Sequence, residues 1–197
     1  MLLLAVHSPY VGVYVGGKLR LINSDLRRLA GQVAIDLPLW LLLLYQLHSN
    51  SYYRSLFYHR IGAVRALLIG WYRPGNPYFI LPKETVLGEG VLMAHPYGTV
   101  LNAERIGTGF TFMHHTTLGK KNGHRPVIGN NVQVGCGATI LGGVTIGDNV
   151  VIGAESLVLH DVPANCIVAG NPARIIRELK EEEHFYLHGS EARQHET

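Results

Sequence analysis

From Leu87 onward, aliphatic residues recur every six positions, at Ile128, Val134, Ile140, Ile146, Ile152 and Val158. A small or β-branched residue holds the fifth place of each hexad: Val132, Ala138, Val144, Val150, Ser156 and Val162. The same phase runs upstream through Ile106, Phe112 and Leu118, and before them through Leu87, Met93 and Val100. A period of six suits neither an α-helix nor the alternation of one strand, so the segment is a repeat. Each hexad supplies a short strand and a turn, and three hexads close a triangular coil with the aliphatic side chains on its axis. Twelve hexads between Leu87 and Pro163 make four coils. Gly88, Gly107, Gly119, Gly129, Gly135, Gly147 and Gly153 hold the second place, where the wall turns and a Cβ would clash.

The period slips twice. Between Met93 and Val100 the step is seven, so one extra residue bulges the wall at Ala94-His95-Pro96-Tyr97-Gly98. Between Leu118 and Ile128 the step is ten, and a loop from Gly119 to Val127 is extruded. Both irregularities carry histidine, and loops and bulges on a rigid solenoid are where function collects.

The front of the chain has a different pattern. Residues 21 to 72 read as helical: Asn23-Ser24-Asp25 offers caps to a short helix that Gly31 ends. Asp36 and Pro38 open a second helix through His48, and Ser51 to Ile69 supplies a third, with Gly62 as its weak point. Trp71-Tyr72-Arg73-Pro74-Gly75-Asn76-Pro77 breaks that pattern. The expected organisation is an extension at 1–20, a helical subdomain at 21–82, the repeat domain at 83–172, and a C-terminal helix and tail at 173–197. Leu37 to Tyr45 is too short to span a bilayer and reads as a packed helix. Met1 to Val6 lacks a basic flank and makes a poor signal peptide. A net charge of +3 argues against a nucleic-acid surface, and two cysteines form no disulfide framework and suit a reducing compartment.

The hexads, the extruded loop and the closing stretch Asp161-Val162-Pro163-Ala164-Asn165 with Ala169-Gly170-Asn171-Pro172-Ala173-Arg174 resemble the hexapeptide-repeat acyltransferases. Gly88 to His95, Thr116-Thr117-Leu118-Gly119 and His124-Arg125-Pro126 resemble the serine acetyltransferase branch, which includes capsular and exopolysaccharide O-acetyltransferases. The likeness covers about residues 84 to 179, and the front around Leu21-Ile22-Asn23-Ser24-Asp25-Leu26 is similar to the polysaccharide type. The resemblance implies a mainly β fold, a left-handed parallel β-helix with an α-helical N-terminal subdomain and a short C-terminal helix. It supplies the hand, since generic crossover rules favour the other. It also implies acetyl-CoA as co-substrate with no metal, and a homotrimer with active sites between subunits. A cytoplasmic protein follows, with peripheral membrane contact through the N-terminal helices left open.

Moving an acetyl group from a thioester to a hydroxyl needs a base for the hydroxyl proton, and an imidazole with the ordinary value near 6.5 suits that role at neutral pH. The resemblance places His95 as the catalytic histidine. The hexad arithmetic supports the choice: the same outward position in later coils falls at His114, Cys136 and Ala154, which form one column about 5 Å apart per coil. The family likeness sets the acetyl-CoA arm beside Cys136 and Ala154, with Leu159 and His160 next and Arg174 and Arg177 towards the phosphates. It assigns substrate or loop contact to His124 and Arg125, whose order is reversed from the serine enzyme's. His114 is a further contact candidate. Cys136 reads as a small wall residue, because direct transfer needs no acyl-enzyme.

Two departures bear on the acceptor. The serine enzyme's aspartates, one just before the catalytic histidine and one about fifteen positions upstream, are replaced by Ala94 and Ile80. Glu84 or a backbone carbonyl would then orient His95, and a small-molecule or lipid-linked sugar acceptor, as in surface polysaccharide synthesis, is favoured over serine. Serine O-acetylation in cysteine synthesis is the alternative. In other classes, a carbonic-anhydrase-like zinc site could draw on His95, His114, His115 and His124 across a trimer interface, or the repeat could be a non-catalytic scaffold.

Overall fold

The hexads build three parallel sheets that enclose one axis. A computed structural model describes residues 18–33, 37–71 and 73–180. The readings for Met1–Val6, for Asp36 and for the tail from Glu181 to Thr197 lie outside the described residues. The first wall stacks Phe79–Ile80, Thr99–Leu101, Thr117–Gly119, Thr139–Leu141 and Leu157–Val158. The second stacks Val86–Leu87, Arg105–Ile106, Val127–Ile128 and Thr145–Ile146, and Val162 bridges to Ile146 at its end. The third stacks Leu92–Ala94, Thr111–Met113, Gln133–Val134, Val151–Ile152 and Cys166–Gly170. This is a parallel β-helix.

Leu87, Ile106, Ile128 and Ile146 from the second wall, Phe112, Val134, Ile152 and Val168 from the third, and Leu118, Ile140 and Val158 from the first are all buried on the axis. Each such side chain contributes about 1.5–3 kcal/mol by leaving water. Coils approach each other closely at the corner between the second and third walls. A Cβ on Gly107 would lie 2.4 Å from the Gly129 carbonyl oxygen, and one on Gly88 2.5 Å from the Gly107 carbonyl carbon. The same corner holds an amide ladder: Asn131 Nδ2 donates to Asn149 Oδ1 at 3.1 Å, and Asn149 Nδ2 to Asn165 Oδ1 at 2.8 Å. All three asparagines have positive φ, which asparagine accepts more readily than most residues.

The front folds as α1 Leu19–Val33, α2 Leu39–Ser49, α3 Ser51–Ile61 and α4 Ala63–Gly70. The leucine run is the packed helix expected, with Leu42, Leu43, Leu44 and Leu47 buried. Asn50 caps α3, its Oδ1 accepting from the Tyr52 and Tyr53 amides at 3.0 Å each. Among the described residues no helix is long and apolar enough to cross a membrane.

The structure corrects several expectations. Asp25 is no cap; it lies inside α1, buried, because α1 continues through it to Val33. The single helix over Ser51–Ile69 is two, since Gly62 at φ 88 turns the chain between α3 and α4. The prism begins before residue 83, because Phe79 and Ile80 already pair with Thr99 and Val100. Leu101, fully buried and paired with Leu118, is the inward residue in place of Val100; the extra bulge residue is carried along the first wall and recovered by a short step to Ile106. No C-terminal helix forms at 173–178. Ala173–Glu178 is a strand, antiparallel to Cys166–Gly170, because the last strand offers an open edge.

Candidate active site

His95 follows the first strand of the third wall, in the bulge. Its φ of 52 is left-handed, a conformation that costs energy for a residue with a Cβ, and its carbonyl accepts the Tyr97 amide at 2.7 Å. The coil below holds this bulge in shape. Gly98, at φ 64, sits where a Cβ would lie 2.7 Å from His115 Nδ1, and the Tyr97 and His115 rings meet edge to face at 5.5 Å. The His115 amide donates to the Tyr97 carbonyl at 2.8 Å. His115 is therefore a support of the bulge, a role that spacing alone left open.

The expected column is present. Ala94 pairs with Met113, Phe112 with Val134, and Val134 with Ile152, so His95, His114, Cys136 and Ala154 follow in register down the third wall. His95, His114 and Ala154 are exposed. The register carries the column on to Gly170, whose antiparallel partner is Ala173, next to Arg174. Leu159 and His160 lie elsewhere: they follow the last strand of the first wall, at the corner with the second, and share a shallow cleft with Ala173, Arg174 and Ile175. Arg177 is exposed on the closing strand.

Three other candidates, Glu84, His124 and Arg125, are not beside His95 in this chain. Glu84 precedes the second wall's first strand, at the corner between the first and second walls, whereas His95 is at the corner between the third and first. A residue eleven positions away falls on another wall when each wall takes one hexad, so Glu84 does not orient the imidazole. His124 and Arg125 share that same remote corner. Their loop folds as a hairpin, with reciprocal Lys121 and His124 backbone bonds of 3.0 and 3.1 Å, and packs on the next coil, where a Cβ on Gly143 would lie 2.9 Å from His124 Cβ. Among the described residues no three His, Cys, Asp or Glu side chains converge as a metal site would need.

Beside His95 is a cavity of about 500 Å³, lined by Leu29 of α1, by Asn50, Tyr52 and Tyr53 at the start of α3, and by Val91 to Pro96. That volume is in the range of small-molecule sites. The Asn50 cap fixes the two tyrosines here. Burial, reinforced by the Asp25 carboxylate, pushes the Tyr53 phenol well up, so it stays a neutral hydroxyl. Asp25 also lines the cavity but is committed elsewhere: Arg60 Nε and Nη2 donate to its two oxygens at 2.9 and 3.0 Å, and the Val91 amide at 2.8 Å. Burial pushes this carboxyl up against the pull of Arg60.

Residues 125–160 match the bacterial transferase hexapeptide family, six repeats. Serine acetyltransferase 2 of Arabidopsis thaliana is 43% identical over 102 residues, 49% of this chain and 32% of that protein. The galactoside O-acetyltransferase of Escherichia coli K12 is 48% identical over 144 residues, 71% of this chain and 66% of that protein. Among solved structures, the serine acetyltransferase of Neisseria gonorrhoeae superposes with a TM-score of 0.67 at 28% identity, over 86% of this chain and 72% of that one. The chain thus spans about a third of the Arabidopsis relative's length, 32%. The narrower likeness to capsular and exopolysaccharide enzymes finds no support in these relatives. Repeat, coil geometry and relatives together make the chain similar to the hexapeptide-repeat acyltransferases, with serine acetyltransferases and a galactoside O-acetyltransferase among the proteins it resembles.

Proposed function

We propose that the protein transfers an acetyl group from acetyl-CoA to a hydroxyl, with His95 as general base. The placement of His95 carries this reading: it is an exposed imidazole at the head of a register column, on a strained bulge, opening on a small-molecule cavity. The pantetheine arm lies along the column past His114, Cys136 and Ala154, with Arg174 and Arg177 at the far end for the phosphates. An imidazole nitrogen takes the acceptor's hydroxyl proton as its oxygen attacks the thioester carbonyl. The tetrahedral intermediate then expels the CoA sulfur, and the proton passes from the imidazolium to that sulfur, so no acyl-enzyme is needed.

Two acceptors are in contention. The serine enzymes among the relatives favour serine. A sugar hydroxyl, free or in a polysaccharide precursor, is favoured by the cavity itself. Its one charged lining residue, Asp25, is already saturated by Arg60 and Val91, while Tyr52, Tyr53 and Leu29 present neutral aromatic and apolar surface. A serine zwitterion leaves two charges to be matched, whereas a sugar needs hydroxyl partners and a flat apolar face. The test is a screen with labelled acetyl-CoA: label transfer to galactosides and other sugars with none to serine is the outcome expected of this cavity. Rapid O-acetylserine formation overturns the sugar reading, and transfer to no acceptor overturns the function.

The site is completed by a neighbouring subunit. His124 and Arg125 stand one wall away from His95 within a chain, and the two corners meet when two prisms lie side by side in a trimer. Mixing inactive His95→Asn chains with inactive Arg125→Ala chains is expected to restore activity, because some mixed interfaces carry both native residues. Failure of such mixtures to regain activity, or a monomer on a sizing column, would sink the shared site.

A further inference from the structure

Val64, Leu67, Leu68 and Trp71 fall at i, i+3, i+4 and i+7, the spacing of a helix face that ordinarily packs inward. In this fold that face points out: the four side chains are 75%, 79%, 66% and 80% exposed. α4 meets the rest of the protein through its other side, where Ala66 packs on the core and a Cβ on Gly70 would lie 3.8 Å from the Tyr58 ring. Trp40, the chain's other tryptophan, is 58% exposed on α2, with Tyr45 beyond it at 55%. Single exposed apolar residues are ordinary, whereas a contiguous stripe marks a contact surface.

Charge indicates what covers it. From Leu37 to Lys83 the sequence contains no aspartate or glutamate, yet besides Arg60, which is buried on Asp25, it carries Arg54, Arg65, Arg73 and Lys83. Arg65 is exposed on α4 itself, inside the run that forms the stripe. We propose that the outer face of α4 docks on an anionic phospholipid surface. Val64, Leu67 and Leu68 enter the boundary between headgroups and acyl chains, Trp71 lies at headgroup level, and Arg65 attracts the phosphates. A second copy of the same face would set cations against cations. Because no described helix is long and apolar enough to span a bilayer, the contact is a peripheral one. This contact is independent of the acceptor and of the transfer chemistry.

The test uses the full chain and vesicles without substrate. Flotation is expected with vesicles of mixed phosphatidylglycerol and phosphatidylcholine but not with phosphatidylcholine alone, and added salt should weaken it. In a Trp40→Phe variant, Trp71 is the sole tryptophan, and its emission should shift to the blue on the anionic vesicles. Leu67→Asp with Leu68→Asp should lower partitioning at least about ten-fold, with an unchanged circular dichroism spectrum because both side chains are exposed. Arg65→Glu should weaken binding without affecting the fold. Absence of flotation overturns the proposal, as does equal partitioning by the double variant. A double variant that instead breaks up a larger oligomer, with no vesicle binding by the parent, assigns the face to self-association and equally overturns it.

Discussion

His95→Ala lowers turnover by about two to four orders of magnitude if the imidazole is the general base, read as release of free CoA thiol in the presence of acceptor. The position complicates a simple reading of that loss, because His95 has a φ of 52 and alanine dislikes the left-handed region. His95→Asn separates the two effects. Asparagine tolerates that backbone and cannot act as a base, so it should be as inactive as alanine while acetyl-CoA binding and folding stay intact. If the asparagine variant keeps its rate, the base is elsewhere and His114, next down the column, becomes the candidate. The His115 support gives a contrasting pattern: its loss loosens the bulge without removing the base.

Asp25→Ala destabilises the fold by about 3–5 kcal/mol, because it strands a buried guanidinium. The Asp25 and Arg60 side chains are 1% and 2% exposed, with Arg60 Nε 2.9 Å from the carboxylate. Arg60 also donates to the Leu87 carbonyl at 2.7 Å and to the Gly88 carbonyl at 2.6 Å, and Asp25 accepts the Val91 amide. The pair thus ties α1 and α3 to the first coil, next to the strand that leads into His95. Urea unfolding should show the loss. Replacing both residues, Asp25→Leu with Arg60→Met, should recover much of it, since an apolar pair leaves no unmatched charge. A double variant no more stable than Asp25→Ala would mean that the backbone bonds, and not the ion pair, carry the junction.

The two sites differ in how far the sequence showed them. His95 was legible because a coil repeats: a step that breaks the period names the bulge, and counting hexads names its neighbours down the wall. The inward residues were legible for the same reason, except at Leu101, where the bulge shifted the phase by one. By local sequence Asp25 looks like a helix cap, because its partner is 35 residues away and nothing local marks a buried charge as paired. The stripe on α4 had the spacing of a core face, but spacing does not say which side the protein covers; Gly62 turned the helix and left the stripe outside. The short C-terminal helix that the resemblance implies gives way to a strand at Ala173–Glu178, because an open strand edge supplies backbone partners that a short isolated helix lacks.

What the sequence determined by itself was the six-residue period, and through it the three walls, the buried aliphatic axis and the column from His95 to Ala154. These follow because each coil repeats the backbone path of the one beneath it, so local spacing propagates along the whole stack. The tertiary structure alone decided which corner each irregularity occupies. It set Glu84, His124 and Arg125 a wall away from His95, closed the tyrosine-lined cavity against the helices, and buried Asp25 on Arg60. Those relations join segments far apart in the chain, where geometry and desolvation, and not spacing, select the partner.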